Sequence, residues 1–306
     1  MYKTTETLVN NKSIEIIREN EDRYIIYNKN NDRTIIGNQE VFEYLIDHQN
    51  ITEESPLYNF IEKKKKFNIL EFNILSFNIN SKYINKVSSF SRITTNNIVV
   101  LLALFISIVY IMTNVPLKVP SINNQNIFVF LGAFWLSELF LTVVHELSHF
   151  YYYQRNFKSN YTKFGVTIRY ISLILFFTSV PFIRILEKKE KKELILAGIK
   201  TQISINGLLV ITICIAPILQ DQFFIQIFLI VNLLSVLVNI IPFFKLDGYW
   251  YISSVLNQHN YMVYYYKMLN KKAPFNFVIF VLGTINILLI IVTILFTIIN
   301  IAKLFI

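Results

Sequence analysis

Six apolar runs, separated by polar segments, occupy the last two thirds of the chain. They cover about 97–114, 126–152, 164–186, 194–219, 223–244 and 275–302. A helix needs ~20 apolar residues to cross the hydrocarbon core of a bilayer. The third run does not fit that pattern, because Arg169, Ser172, Thr178, Ser179 and Pro181 interrupt it and its "FGVTIRY" stretch is rich in β-branched and aromatic residues. It predicts a strand-containing loop rather than a span. The stretch 249–274, "YWYISSVLNQHNYMVYYYKMLNKKAP", mixes aromatic and polar residues. Tyr and Trp favour the headgroup level, so it predicts an interfacial segment.

Ahead of the runs, residues 14–70 carry a different pattern. "RYIIYNKNNDRTIIGN" has two β-rich halves around an Asn-Asn-Asp turn, a hairpin signal. In "NQEVFEYLIDHQ" the apolar residues Val41, Phe42, Leu45 and Ile46 fall at helical spacing. Thr52 with Glu53 and Glu54 predicts a second helix start, and Leu57, Phe60 and Ile61 continue its apolar face up to the run Glu62-Lys63-Lys64-Lys65-Lys66. Hairpin, helix, helix is a winged-helix-like order. The expected fold is a multi-pass α-helical membrane protein with about five spans plus a re-entrant strand-containing loop. A small α+β winged-helix-like domain precedes it. The expected division is a cytoplasmic domain and linker at 1–96 and a membrane domain at 97–306.

Composition sharpens this picture. The 306 residues are 54% hydrophobic with a mean hydropathy of +0.45, above the ~45–50% apolar content of ordinary soluble domains. Of 29 basic and 20 acidic residues, 13 of each lie in residues 1–96, so the whole +9 net charge belongs to the apolar part. Basic residues between hydrophobic runs indicate membrane topology, not a nucleic-acid partner. The single cysteine, Cys214, excludes an intrachain disulfide framework and a cysteine metal cluster. The polar first 20 residues do not form a signal peptide.

One motif carries chemistry. His145-Glu146-Leu147-Ser148-His149 is HExxH inside the second apolar run. On a helix, positions i and i+4 share a face, so both imidazoles can grip one metal ion, with Glu146 beside a metal-bound water whose proton it can take. HExxH recurs by chance, but ionisable side chains at membrane depth are costly and mark function. Only seven acidic residues follow position 96, and Glu146 is one. A catalytic zinc site needs a third protein ligand. Glu187, Glu190 and Glu193 sit in the lysine-filled linker "EKKEKKE" and suit a solvated charge run. His259 lies in the aromatic segment and His48 in the front domain. Asp247 follows the fifth run beside Gly248, where it is either a ligand or a cap at a helix-ending turn. Glu138 lies two turns before His145 on nearly the same face, as a carboxylate beside the site or a partner for a basic residue.

His145-Glu146-x-x-His149 followed by Asn239-x-x-Pro242-x-x-x-Leu246-Asp247-Gly248 resembles the site-2 protease family of intramembrane zinc metalloproteases. The resemblance covers roughly residues 97–270 and implies that Asp247 is the third zinc ligand and that Asn239 contacts substrate near the catalytic centre. "LAGIKTQISING" (196–207) resembles the family's small-residue helix, with Ile199 where a Pro is usual. "LDGYW" and the aromatic segment after it resemble the peptide zinc metalloprotease subgroup, and no PDZ-like insertion is apparent. "RYIIYNKNNDRTIIGNQEVFEYLIDHQNIT" resembles a PqqD-like leader-peptide-recognition domain.

Topology agrees with a shared metal site. His145 and His149 lie near the end of the second run and Asp247 at the end of the fifth. Their helices must point the same way, so the third run must re-enter without crossing, as buried irregular backbone permits. Residues 1–96, "QRNFKSNYTK", "EKKEKKE" and "KMLNKK" then share one face with nearly all the lysines, the cytoplasmic one by the positive-inside rule.

The resulting expectation is a zinc-dependent intramembrane endopeptidase, multi-pass in the bacterial cell membrane with a cytoplasmic N-terminus. Zn2+ is held by His145, His149 and Asp247, and Glu146 is the general base. Asn239 binds substrate or an oxyanion, or else packs between helices. The expected partners are the lipid bilayer and a peptide or membrane-protein substrate, a ribosomally made precursor peptide above all. The alternatives are a regulatory protease cutting a membrane-anchored regulator and a non-catalytic peptide-binding or immunity protein. A transporter subunit would need a nucleotide-binding loop, which the chain lacks.

Overall fold

The computed structural model describes residues 5–7, 14–20, 22–28, 33–47, 55, 57–61, 70–113, 127–157, 159, 161–170, 173–220 and 222–303. The Asn-Asn-Asp turn, His48, the helix start expected at Thr52, the lysine run 63–66 and residues 115–125 lie outside the described residues. Contacts divide the chain into two compact units: Met1–Lys86 with Tyr152–Glu187, and Val87–Tyr151 with Lys188–Ile306.

The first unit holds two sheets. Strands β1 (Thr5–Thr7), β2 (Ile14–Asn20), β3 (Arg23–Asn28) and β4 (Arg33–Gly37) form an antiparallel meander in chain order. The expected hairpin is β3–β4, with Tyr24 opposite Gly37 and Tyr27 opposite Thr34. The sheet also recruits β2 and β1, which the hairpin signal did not reveal. Helix α1 (Gln39–Asp47) starts where the Asn38 Oδ1 accepts from the Val41 N–H at 3.2 Å, a side-chain N-cap. The apolar stripe predicted for α1 meets the sheet: Leu45 joins Ile14, Ile16, Tyr24, Ile26 and Phe60 in one core. Phe60 belongs to the short α2 (Tyr58–Ile61), whose last carbonyls accept from the Asn28 Nδ2. The other face of β3 is covered too, with Tyr27 edge-on to Phe182 at 5.9 Å.

The third apolar run is not a helix. It forms β6 (Tyr161–Arg169), a turn at Tyr170, β7 (Leu173–Thr178) and a single 3-10 turn at Ile183–Ile185. The long strand β5 (Glu71–Asn80) pairs with β6, giving the order β5-β6-β7. An irregularity between Asn73 and Leu75 shifts the period of β5 by one residue. Phe72, Leu75 and Phe77 therefore share a face with Phe164, Val166, Ile168, Ile174 and Phe176. A one-residue shift exchanges the faces of a strand, and here it keeps the middle of one face apolar across all three strands. Gln154 fastens this sheet by donating to the Ser81 Oγ and the Ser159 carbonyl, both at 2.7 Å.

The second unit is helical. After helix α3 (Ser81–Ser88), most of which belongs to the first unit, come α4 (Ser91–Thr94), α5 (Asn97–Thr113), α6 (Ile127–Phe157), α7 (Lys188–Ile215), α8 (Phe223–Ile240), α9 (Asp247–Val255), α10 (Tyr261–Leu269) and α11 (Phe277–Lys303). Four of them, α6, α7, α8 and α11, are long and apolar enough to cross a bilayer, and α5 is a shorter apolar helix of 17 residues. Five spans were expected, and the described helices provide four of full length. Phe128, Trp135 and Leu136 on α6 and Phe277 and Phe296 on α11 all face outward. Exposed apolar surface on this scale suits a lipid surround rather than water.

Helix α7 is the most enclosed of the four. Its buried face carries small and polar residues: Ala197, Gly198, Thr201, Gln202, Ser204 and Asn206. Small residues let membrane helices approach, and hydroxyls and amides bond across them. Thr201 Oγ1 lies 2.8 Å from Ser148 on α6 and 3.0 Å from Thr94 on α4. The expected interfacial segment folds as α9 and α10, packed through Tyr249, Tyr261, Met262, Tyr265 and Met268 against Ile279 of α11.

Candidate metal centre

Helix α6 presents His145 and His149 on one face, with ring centroids 4.8 Å apart and both side chains buried. Each ring is held from behind by an oxygen acceptor. His145 Nδ1 lies 3.1 Å from Gln202 Oε1 and His149 Nδ1 lies 2.8 Å from the Leu194 carbonyl, both on α7. A carbonyl oxygen only accepts, so each Nδ1 carries a hydrogen, and Nε2 is the nitrogen each ring can offer to a metal. The two Nε2 atoms face one another at 3.1 Å.

Asp247 arrives from α9. The link from α8 turns through Phe244 and Lys245, both left-handed with φ of 58° and 57°. That conformation is unusual for residues with a side chain, and it is pinned by the Tyr261 hydroxyl on the Pro242 carbonyl at 2.7 Å and the Trp250 Nε1 on the Lys245 carbonyl at 3.1 Å. The turn folds α9 directly against the end of α8. A Cβ on Gly248 would lie 2.1 Å from the Ile240 carbonyl oxygen, so only glycine permits this approach. Asp247 is thus the first residue of α9, with its Oδ2 3.0 Å from His145 Nε2 and 3.3 Å from His149 Nε2.

These three atoms fit a metal ion. Asp247 Oδ2 is buried and has no hydrogen-bond partner among the described residues, although it touches both imidazoles. Three ligand-type atoms converge at the distances of a shared positive charge, which a proton or a metal ion can supply. Donors ~2.0–2.1 Å from one tetrahedral ion stand roughly 3.3 Å apart, close to the separations of 3.0, 3.1 and 3.3 Å here. Two imidazoles and a carboxylate suit zinc among the common biological cations. Burial works to raise the Asp247 carboxyl, but the attraction of His149 and His145 outweighs it and holds the group well below the usual carboxylate range. A dication would supply the same attraction more strongly.

His145, His149 and Asp247 are the only His/Cys/Asp/Glu group of this kind among the described residues. Glu146 is half-buried on the turn between the histidines, close enough for its charge to act on His149. Glu138 is half-buried two turns back, near enough to act on His145. Asn239 is half-buried in the last turn of α8, with no side-chain hydrogen bond among the described residues. His259 lies against Trp250, with ring centroids 6.2 Å apart. Glu187 is exposed, and Glu190 and Glu193 open α7 away from the cluster.

Two residues of α7 escaped the sequence reading. Gln202 is 1% exposed and holds His145. Gly198 lies under the same ring, where a Cβ would stand 2.3 Å from His145 Nε2. The signal was a Gly and a Gln inside an apolar run, but their contact with His145 is made across the helix packing. Comparison with known proteins finds no matching family model, curated protein or solved structure.

Proposed function

We propose that this chain is a zinc-dependent endopeptidase of the site-2 protease type, embedded in a membrane. The observation that carries the reading is the meeting of His145 Nε2, His149 Nε2 and Asp247 Oδ2 within 3.3 Å of one another, beside Glu146 of the HExxH motif. Zinc, when bound, polarises a scissile carbonyl and acidifies water. The chain's own groups do the rest. His145, His149 and Asp247 hold the ion, and the two Nδ1–H bonds to α7 keep the imidazoles facing it. Glu146 takes the proton of the attacking water and returns it to the leaving amine, the usual part of a carboxylate acting as general base and then acid. Asn239 orients the substrate backbone from the end of α8.

The favoured substrate is a ribosomally made precursor peptide, recruited by the PqqD-like sheet of residues 14–37. In the sheet order β4 is terminal, and it offers an edge to which a peptide strand can add. Regulatory cleavage of a membrane-anchored protein is the second reading, favoured by an HExxH helix long and apolar enough to cross a membrane. Purified protein in lipid vesicles, loaded with zinc and given candidate precursors, tests both. Zinc-dependent cutting that Glu146→Gln abolishes supports the protease. Loss of cutting of long precursors, but not of short segments spanning the cut, on deletion of residues 1–70 supports recruitment. Metal-free protein that cuts equally well overturns the reading.

A further inference from the structure

His145 and His149 do not stand on equal footing. The His149 Nδ1 meets a main-chain carbonyl, that of Leu194, which can only accept a hydrogen. The His145 Nδ1 meets a side-chain amide, whose two ends are a carbonyl and an NH2 of nearly the same shape. With the carbonyl end toward the ring, His145 keeps its Nε2 lone pair for a metal. With the NH2 end toward it, the Nδ1 must be the bare nitrogen. The hydrogen then moves to Nε2 and points at Asp247, 3.0 Å away, where it closes the site as a hydrogen bond. The direction of one amide therefore decides whether three ligands or two are available.

Gln202 spans the gap between His145 and α8: its Nε2 lies 2.9 Å from the Ser235 Oγ and its Oε1 faces His145. A hydroxyl donates or accepts, so Ser235 can satisfy either end of the amide, and a metal ion, which needs the His145 Nε2 lone pair, selects the direction with Oε1 toward the ring. Its main-chain carbonyl accepts from the Asn232 Nδ2 at 2.9 Å, tying α7 to α8 at the same level. Gln202 and Asn232 are each almost wholly buried. A buried amide cannot exchange these bonds for water, so its orientation persists.

Resting on the metal-centre reading above, we propose that Gln202 is a positioning residue that fixes the His145 tautomer and thereby sets the metal affinity of the site. A metal-bound histidine is normally held by an acceptor on its other nitrogen, and loss of that acceptor typically costs 10- to 100-fold in metal affinity. Gln202 is a neutral acceptor, so a carboxylate in its place would make the imidazole a stronger donor.

Zinc affinity of the full-length protein in detergent, measured by competition with a chelating dye, tests this together with the visible absorption spectrum of the cobalt-substituted protein. Gln202→Met keeps the length and removes the acceptor. It is expected to bind zinc about 10- to 100-fold more weakly and to shift the cobalt spectrum. Gln202→Glu keeps an acceptor and is expected to bind at least as tightly as the wild type with a tetrahedral cobalt spectrum. If the Met variant does not fold, Gln202→Asn supplies the comparison, since it is one methylene too short to reach the ring. Wild-type affinity and spectrum in Gln202→Met, or Gln202→Glu binding as weakly as Gln202→Met, would overturn the role. Zinc binding by the wild type that His145→Ala and His149→Ala leave untouched would instead overturn the metal centre itself.

Discussion

Asp247 Oδ2 lies 3.0 Å from His145 Nε2, while the opposite nitrogen of the same ring faces Gln202. Two buried groups this close share a positive charge, either a proton or a metal ion. The arrangement persists because the turn through Phe244 and Lys245 and the packing at Gly198 and Gly248 define it from outside. A site that holds its three ligand atoms in place from outside is built to receive a cation.

Removing either side of that relationship should remove the metal. Purified wild-type protein is expected to carry about one zinc ion per chain, as a single three-ligand site requires. His145→Ala and Asp247→Ala should each retain less than about a tenth of it after dialysis, since two ligands bind zinc far more weakly than three. Elemental analysis of the dialysed proteins checks this. Full zinc retention by the double variant would show that the ion is held elsewhere.

Glu146→Gln should separate binding from chemistry. Gln fills the same space but cannot take a proton, so zinc content should stay near one per chain. Turnover should fall about 100- to 10,000-fold, the usual contribution of general acid–base catalysis. Cleavage of a candidate precursor in vesicles, read by mass spectrometry, decides it. Turnover within a few-fold of wild type would remove Glu146 from the mechanism.

The sequence showed the metal site in part because its grammar is local. HExxH declares a shared helical face, and Asp247 beside Gly248 at the end of an apolar run declares a turn. Which candidate acid joined the histidines was not local. It depends on α9 folding back on α8, and composition alone left Asp247 as a possible cap. Gln202 and Gly198 were invisible for the same reason, since nothing in "LAGIKTQISING" says which of its residues meets α6. In the fold, the interrupted pattern of 164–186 correctly predicted strands. Its partner β5 was missed because the alternation of "EFNILSFNIN" is broken at Ile74 by the bulge.

Gly198 should be as unforgiving as a ligand. A methyl group there would stand 2.3 Å from His145 Nε2 and 2.4 Å from Cε1, well inside contact distance. The neighbour is a buried ring held at Nδ1, so it cannot swing away without leaving Gln202. Gly198→Ala is expected to lower zinc affinity by at least tenfold, comparable to the loss of a supporting hydrogen bond, while helix propensity itself improves by about 1 kcal/mol. A competition titration alongside a circular dichroism melt separates the two effects. Unchanged affinity would mean that α7 yields at this point.

Metal uptake should depend on pH through the imidazoles and not through Asp247. A carboxylate held below its ordinary range contributes stability that is present above its unfolded value near 3.9 and lost only as pH falls through the lower folded value. Asp247 therefore stays charged between pH 5 and 8. Histidine ordinarily titrates near 6.5, and zinc must displace any proton on Nε2. Affinity should be flat at high pH and fall as pH drops, by up to about tenfold per unit for each imidazole that must lose a proton to bind. Titrations at fixed ionic strength across pH 5–8 check the slope, and a flat profile would exclude histidine ligands.

The segment 164–186 should lie on one side of the membrane. Its residues form β6, β7 and one 3-10 turn, too short and too irregular to cross. The Ser179 N–H donates to the Lys163 carbonyl at 2.8 Å, so the two ends of the hairpin are side by side. The same conclusion follows from the ligands, because α6 and the turn from α8 into α9 bring His149 and Asp247 to one depth only if no crossing intervenes between α6 and α7. By the positive-inside rule this side, with the lysines of "EKKEKKE", should be the cytoplasmic one. Cys214 is the only cysteine, so Cys214→Ser provides a blank background. Cysteines placed at Lys163 and at the exposed Glu187 should react with a membrane-impermeant maleimide only in inside-out vesicles. Reaction of the two positions from opposite faces would place a crossing between them, and the three ligands could not then share one ion.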